Sequence, residues 1–308
     1  MKVLYFDCFS GISGDMTLGA LIDLGIEKEV FLREMDQLHL HGFEIVIEKK
    51  KQNGISGTDV RVVTGEDHSA RHLSDIELII DRSGLKQSVK ELSKKVFREI
   101  ARAEARVHNV DPAEVHFHET GAVDSIVDIV GAAVCISLLD VDRVFSSPLH
   151  DGQGYVECQH GIIPVPVPAV MEMLRGTEIP LVTEDINTEL VTPTGMGLIK
   201  CLSSSFGSMP AMIIDRVGYG MGKRDTGRLN ALRGMTGRLP EGGAMLEEIS
   251  MLETNLDDMS PEITAYVSDK LMESGALDVY HTPVYMKKGR PAVVLTVLSR
   301  KEDEQMMV

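Results

Sequence analysis

The 308-residue chain contains no tryptophan, and aromatic residues make up only 5% of it. It therefore offers no run of aromatic platforms on which single-stranded bases would stack. Basic residues are also scarce: 31 Lys and Arg stand against 47 Asp and Glu, a formal net charge of -16. Such a balance argues against nucleic acid or an anionic membrane as partner and suits a protein that attracts cations. The four cysteines, Cys8, Cys135, Cys158 and Cys201, form no C-x-x-C pair. That excludes a zinc ribbon and a thioredoxin motif, and fits reduced thiols in the cytoplasm. Long apolar runs are missing as well. The longest, Ile129 to Leu139, is bounded by Asp128 and Asp140, far short of the roughly 20 residues that span a bilayer. Asp7 cuts short the opening apolar segment, which reads as a strand and not as a signal peptide. The 43% of hydrophobic residues suffices for one large or two medium domains.

Against this background one stretch stands out, Glu114-Val-His-Phe-His-Glu-Thr-Gly-Ala-Val-Asp-Ser-Ile-Val-Asp-Ile-Val-Gly131. His116 and His118 are two apart, so an extended segment points both to one side. Glu119 follows, and Thr120-Gly121 turns the chain into an apolar run that contains Asp124 and Asp128. Four apart, these aspartates share a helix face. A strand that delivers His-x-His into such a helix converges nitrogen and oxygen ligands, a mixture that suits zinc, nickel or cobalt better than calcium or magnesium. The plain alternative is a solvated helix face. The aspartates interrupt an almost wholly apolar run, however, and buried charges need a partner or a metal.

The remaining chain predicts alternating elements. A strand, Val3 to Phe6, leads through Asp7-Cys-Phe-Ser-Gly-Ile-Ser-Gly-Asp15 into a helix from Met16 to Leu24. Asp7 at the strand end is a candidate cation ligand, and Asp15 either joins it or caps the helix. Helices are expected over Glu27 to Leu38, Lys86 to Val107 and Ala122 to Leu139. The charges of the long one, Glu99, Arg102, Glu104 and Arg106, read as a solvated face. Strands Phe43 to Lys49 and Thr58 to Val63 flank a basic link that reads as a long exposed loop. Cys158 and His160 are either soft ligands or incidental hairpin residues. Glu189-Leu-Val-Thr-Pro-Thr-Gly195 is a turn that either binds an anion or caps a helix with proline in its first turn. Gly218-Tyr-Gly-Met-Gly-Lys-Arg-Asp-Thr-Gly227 reads as a glycine-rich loop whose Lys223 and Arg224 could close over an anion.

Leu239-Pro-Glu-Gly-Gly243 reads as a linker. The expected class is α/β (mixed α+β): a large N-terminal α/β domain, 1–240, and a small ferredoxin-like α/β sandwich beginning at 246–308. The second part reads strand, helix, strand, strand, with Ser260-Pro261 starting the helix. Such a pattern is half of a sandwich, so more chain or a partner subunit is expected to complete it, and assembly into a homo-oligomer is expected.

Taken together, Tyr5-Phe-Asp-Cys-Phe-Ser-Gly-Ile-Ser-Gly-Asp-Met16, Val115-His-Phe-His-Glu119 with Gly121-Ala-Val-Asp-Ser-Ile-Val-Asp128, His160-Gly-Ile-Ile-Pro-Val-Pro166, Glu189-Leu-Val-Thr-Pro-Thr-Gly195 and Glu253-Thr-Asn-Leu-Asp-Asp-Met259 resemble the LarC family. These are the nickel insertion proteins of nickel-pincer cofactor biosynthesis. The resemblance implies insertion of nickel into pyridinium-3,5-bisthiocarboxylic acid mononucleotide, with two Ni–S bonds and one Ni–C bond formed in a CTP-dependent cyclometallation. The product would serve an enzyme of the lactate racemase type. The resemblance narrows the metal to Ni2+, with His116, His118, Glu119, Asp124, Asp128 and Asp7 as candidate ligands and Glu119 or a free histidine as a candidate base for the ring proton. It places CTP with Mn2+ or Mg2+ in the C-terminal part, where Asp257 and Asp258 could hold the ion and Lys287, Lys288 and Arg290 the triphosphate, unless that hairpin is only a solvated turn. Family members often carry a histidine tract before Arg-His-Leu-Ser-Asp; here only His68 and His72 flank Arg71.

Overall fold

A computed structural model describes residues 1–65, 71–117, 123–158, 161–240 and 249–308, with His116 described by its backbone alone. The chain divides into two compact units, Met1–Pro240 and Glu241–Val308. In chain order the first contains β1 (Lys2–Asp7), α1 (Gly14–Asp23), α2 (Lys28–Asp36), β2 (Phe43–Gln52), β3 (Ile55–Thr64), β4 (Arg71–His72), α3 (Leu73–Arg82), α4 (Gln87–His108), β5 (His116–Phe117) and α5 (Val123–Leu139). It continues with β6 (Arg143–Ser146), β7 (Leu149–Asp151), β8 (Tyr155–Cys158), β9 (Gly161–Pro164), α6 (Pro168–Leu174), β10 (Leu181–Thr183), α7 (Pro193–Leu202), β11 (Ser205–Phe206), β12 (Ile213–Met221) and β13 (Ala231–Arg238). The mixed α/β class read from the sequence holds.

A seven-stranded mixed sheet runs in the order β11-β6-β1-β13-β12-β3-β2. β1 pairs in parallel with β6 and antiparallel with β13. Helix α1 lies on this sheet and is buried almost all round, from Gly14 to Ile22, because α5 covers its other side. Helix α5 is apolar and buried over most of its length, as a helix with so little polar surface must be, apart from Asp124 and Asp128 near its start. Helix α4 is the amphipathic one. Val89, Val96, Phe97, Ile100 and Ala103 face the core, and Asn109 closes it in the left-handed conformation, φ 53°.

Two expectations are corrected. The basic link between β2 and β3 is not a loop: the ladder continues to Gln52 opposite Ile55, and only Asn53-Gly54 turns, both with positive φ. Asn-Gly is the preferred two-residue hairpin turn, and it outweighs the lysines around it. Gly218 and Gly220 likewise belong to strand β12 and not to a ligand loop. A Cβ on Gly220 would lie 1.8 Å from the Met16 carbonyl oxygen, and one on Gly218 2.7 Å from that of Ala20. These glycines let α1 settle onto the sheet.

The second unit contains β14 (Ile249–Leu256), α8 (Pro261–Glu273), β15 (Asp278–Met286), β16 (Arg290–Arg300) and the short α9 (Glu304–Met307). Its antiparallel sheet has the order β14-β16-β15. The strand Val293 to Leu298 therefore sits in the middle, with Leu295 and Val297 in a small core beside Val267 and Leu271 of α8. Met251 and Tyr280 remain exposed.

Candidate functional site

The segment after β1 and the segment before α7 are laced together. Ile12 N–H donates to the Leu190 carbonyl at 2.9 Å, and Thr192 N–H donates to the Ile12 carbonyl at 3.0 Å. Asp151 fixes this seam from below: its Oδ1 accepts from the N–H groups of Leu190 at 2.7 Å and Val191 at 3.1 Å. The starts of α1 and α7 consequently lie side by side. Ser13 is the N-cap of α1, accepting from Met16 N–H at 3.4 Å, so Asp15 sits in the first turn and is not the cap. Thr192 caps α7, its hydroxyl accepting from Gly195 N–H at 3.1 Å.

These helix starts, with those of α5 and α6, wall a cleft of about 490 Å3, within the range of small-ligand sites. Asp15, Asp124 and Asp128 line it, as do Glu104 and His108 of α4, Glu157 and Cys158 of β8, and Glu189. Among the described residues only Lys223 and Arg224 bring permanent positive charge to it. Both cations are engaged: Lys223 Nζ lies 2.8 Å from Asp15 Oδ2, and Arg224 Nη2 lies 2.7 Å from Glu189 Oε2.

Asp128 is partly buried on the wall of the cleft. A Cβ on Gly14 would fall 2.4 Å from its Oδ2, so the carboxyl packs on the first turn of α1, where only glycine leaves room. Its Oδ1 is buried and accepts no hydrogen bond. Burial, and then the neighbouring Asp15 and Asp124, raise its carboxyl well above the ordinary range, while Lys223 acts in the opposite direction. For Lys223, burial works against the charged form, but Asp15, Asp128 and Asp59 outweigh it and raise the ammonium.

Among the residues singled out in the sequence, the structure brings Asp124 and Asp128 together in this cleft. His118 and Glu119 lie outside the described residues, as do His68 and His160. The backbone of His116 pairs in register with His72 across β4 and β5, and the neighbouring Phe117 packs edge-to-face on Phe97, ring centroids 6.2 Å apart. Asp7 does not join them. Its Oδ2 accepts from Arg233 Nε at 3.1 Å and from Nη2, and it is not among the residues lining the cleft. Among the described residues no three His, Cys, Asp or Glu side chains are grouped so as to hold a metal by themselves. Of the charged set on α4 read as a solvated face, Arg102 and Arg106 are exposed, while Glu104 lines the cleft together with His108. Their i, i+4 spacing on one helix face was the signal, and their side chains lie 3.5 Å apart.

In the second unit, Leu256 pairs with Val293 and Met286 with Arg290. Asp257 and Asp258, the start of α8 and the hairpin Lys287–Gly289 with Arg290 thus share one end of the sheet. All five of these charged residues are exposed.

The first unit is an α/β unit with a carboxylate-rich cleft walled by helix N-termini. The chain matches the family model described as nickel insertion protein over residues 4–308. It is 60% identical over 317 residues to the pyridinium-3,5-bisthiocarboxylic acid mononucleotide nickel insertion protein of Acetivibrio thermocellus, covering 100% of this chain and 78% of that one. It is 47% identical over 334 residues to the protein of the same description from Lactiplantibacillus plantarum, covering 100% and 80%. A solved structure described as the apo C-terminal domain of a cyclometallase involved in synthesis of the NPN cofactor of lactate racemase is 46% identical over 19% of this chain and 41% of that one, with a TM-score of 0.19. The chain belongs to the nickel insertion protein family.

Proposed function

We propose that this chain inserts nickel into pyridinium-3,5-bisthiocarboxylic acid mononucleotide, using CTP with Mg2+ or Mn2+, in a lyase-type cyclometallation in the cytoplasm. The observation that carries the reading is the 60% identity over the full chain to a relative described by that insertion. Nickel is here a substrate. Imidazole and carboxylate donors hold it less strongly than sulfur does, so transfer from His116, His118, Glu119, Asp124 and Asp128 to two thiocarboxylates runs downhill. Making the Ni–C bond from Ni2+ and a ring C–H releases one proton, and Glu119 is the proposed acceptor. In the second unit Asp257 and Asp258 are proposed to hold the divalent ion, and Lys287, Lys288 and Arg290 the triphosphate. The product would go to an enzyme of the lactate racemase type, and the working form is proposed to be a homo-oligomer.

The test is nickel titration of the wild type against His116→Ala combined with His118→Ala. The double variant is expected to lose the tight site; unchanged stoichiometry and affinity would rule out this ligand set. Parallel assay of CTP consumption with nickel and the pyridinium substrate separates the insertase from a nickel carrier or storage protein, which would bind nickel and leave CTP intact.

A further inference from the structure

Lys223 occupies the place of a cation among carboxylates. It touches Asp15 at 2.8 Å, and Asp128 and Asp59 also act on its charge. Asp59 is buried with one carboxylate oxygen unbonded, and its other oxygen has Arg61 Nε at 3.5 Å. Among the described residues no hydrogen-bond donor reaches the buried Asp128 Oδ1. The backbone that carries Lys223 is held independently of its ammonium: Asn230 donates through Nδ2 to the Arg224 carbonyl at 3.0 Å, and Arg224 grips Glu189. The Lys223 side chain is 48% exposed and lines the same cleft. It can therefore leave Asp15 by rotating, with no movement of the loop.

We propose that Lys223 exchanges partners during loading: a divalent ion at the Asp124–Asp128 face displaces its ammonium from the carboxylates, and the freed ammonium then binds the anionic pyridinium mononucleotide. This rests on the proposed nickel site. A dication beside Asp128 neutralises the charges that hold Lys223 and repels the ammonium. The displaced group has an anion to meet only if the substrate occupies the cleft. Nickel and substrate then bind with positive coupling, and by linkage each strengthens the other by the same factor. Before loading, Lys223 keeps the acidic cleft from holding adventitious cations too tightly.

The experiment is calorimetric titration of the full chain with Ni2+ and with nicotinate mononucleotide, a pyridinium mononucleotide without thiocarboxylates, each in the absence and presence of the other. In the wild type each ligand is expected to tighten the other at least about fivefold. Lys223→Met is expected to bind nickel alone about tenfold more tightly, to bind the mononucleotide more weakly and to show no coupling. Lys223→Arg is expected to retain coupling, and Lys223→Gln serves in place of the Met variant should that fail to fold. Unchanged coupling in Lys223→Met overturns the inference, since direct chelation of nickel by the probe would survive that substitution. Nickel affinity that is indifferent to Asp128→Asn overturns the site reading and this inference with it. Affinity that depends on Asp128 but not on Lys223 overturns this inference alone.

Discussion

A carboxylate within an otherwise apolar helix has to be neutral, paired or bound to a cation. Among the described residues Asp128 Oδ1 is unbonded, and Asp15 and Asp124 add negative charge nearby, with Lys223 acting against them. The folded pKa of Asp128 lies above the unfolded value of about 3.9, so between the two the folded state binds the extra proton. Stability from this group is therefore fully present below the unfolded value and is lost as pH rises through the folded one. The metal-free protein is expected to become easier to unfold by urea as pH rises above the ordinary carboxylate range, and Asp128→Asn to flatten that slope. At neutral pH the variant should be more stable than the wild type by roughly 1–3 kcal/mol, the scale of an uncompensated buried polar group. Nickel should reverse the trend for the wild type alone, because it binds the deprotonated carboxylate and stabilises by about 2.7 kcal/mol at a hundredfold excess over its dissociation constant. An equal pH slope in both proteins without metal would remove Asp128 from this role.

The elements matter through where they start. Four helices begin at the cleft, and α1 and α5 press together there so closely that Gly14 has no room for a Cβ. Gly14→Ala is expected to destabilise the fold by roughly 1–3 kcal/mol and to weaken nickel binding by pushing Asp128 aside, measured by urea unfolding and nickel titration together. Normal nickel affinity in a measurably destabilised variant would show that the packing of these two helix starts does not set the site. The helices themselves were legible in the sequence because their apolar spacing is decided locally: α4 and α5 lie within a residue of their expected bounds. The aspartates four apart on α5 were legible for the same reason. What was not legible depended on contacts between distant segments. Gly218 and Gly220 read as loop residues because nothing local reveals that α1 lies on them. Asp7 read as a ligand because its partner, Arg233, is 226 residues away. Lys223 read as a group reaching for an anion, whereas in the fold it faces acids contributed by α1, β3 and α5.

At the scale of the whole molecule, the two units bear opposite kinds of charge constellation. The cleft of the first unit gathers carboxylates, while one end of the second unit's sheet sets Lys287, Lys288 and Arg290 beside Asp257, Asp258 and the start of α8. A triphosphate with a divalent ion needs both signs together: acids for the ion, bases and helix N–H groups for the phosphate oxygens. Because these residues are exposed, replacing them should alter stability by no more than about 0.5 kcal/mol. Removing two charged donors at about 1.5–3 kcal/mol each should, by contrast, reduce affinity for CTP by a hundredfold or more. Lys287→Ala combined with Arg290→Ala is thus expected to weaken CTP binding by that factor in the presence of Mg2+ while leaving nickel stoichiometry and affinity at the wild-type level. The Asp128→Asn variant should do the converse, and the two sets of changes should add without coupling, since they share no partner. Titration of each variant with CTP and with nickel separately, followed by the combined variant, measures this. If the Lys287 and Arg290 substitutions lowered nickel affinity, or if Asp128→Asn lowered CTP affinity, ground-state binding at the two sites would be one linked event, and the division of labour between the units would have to be abandoned.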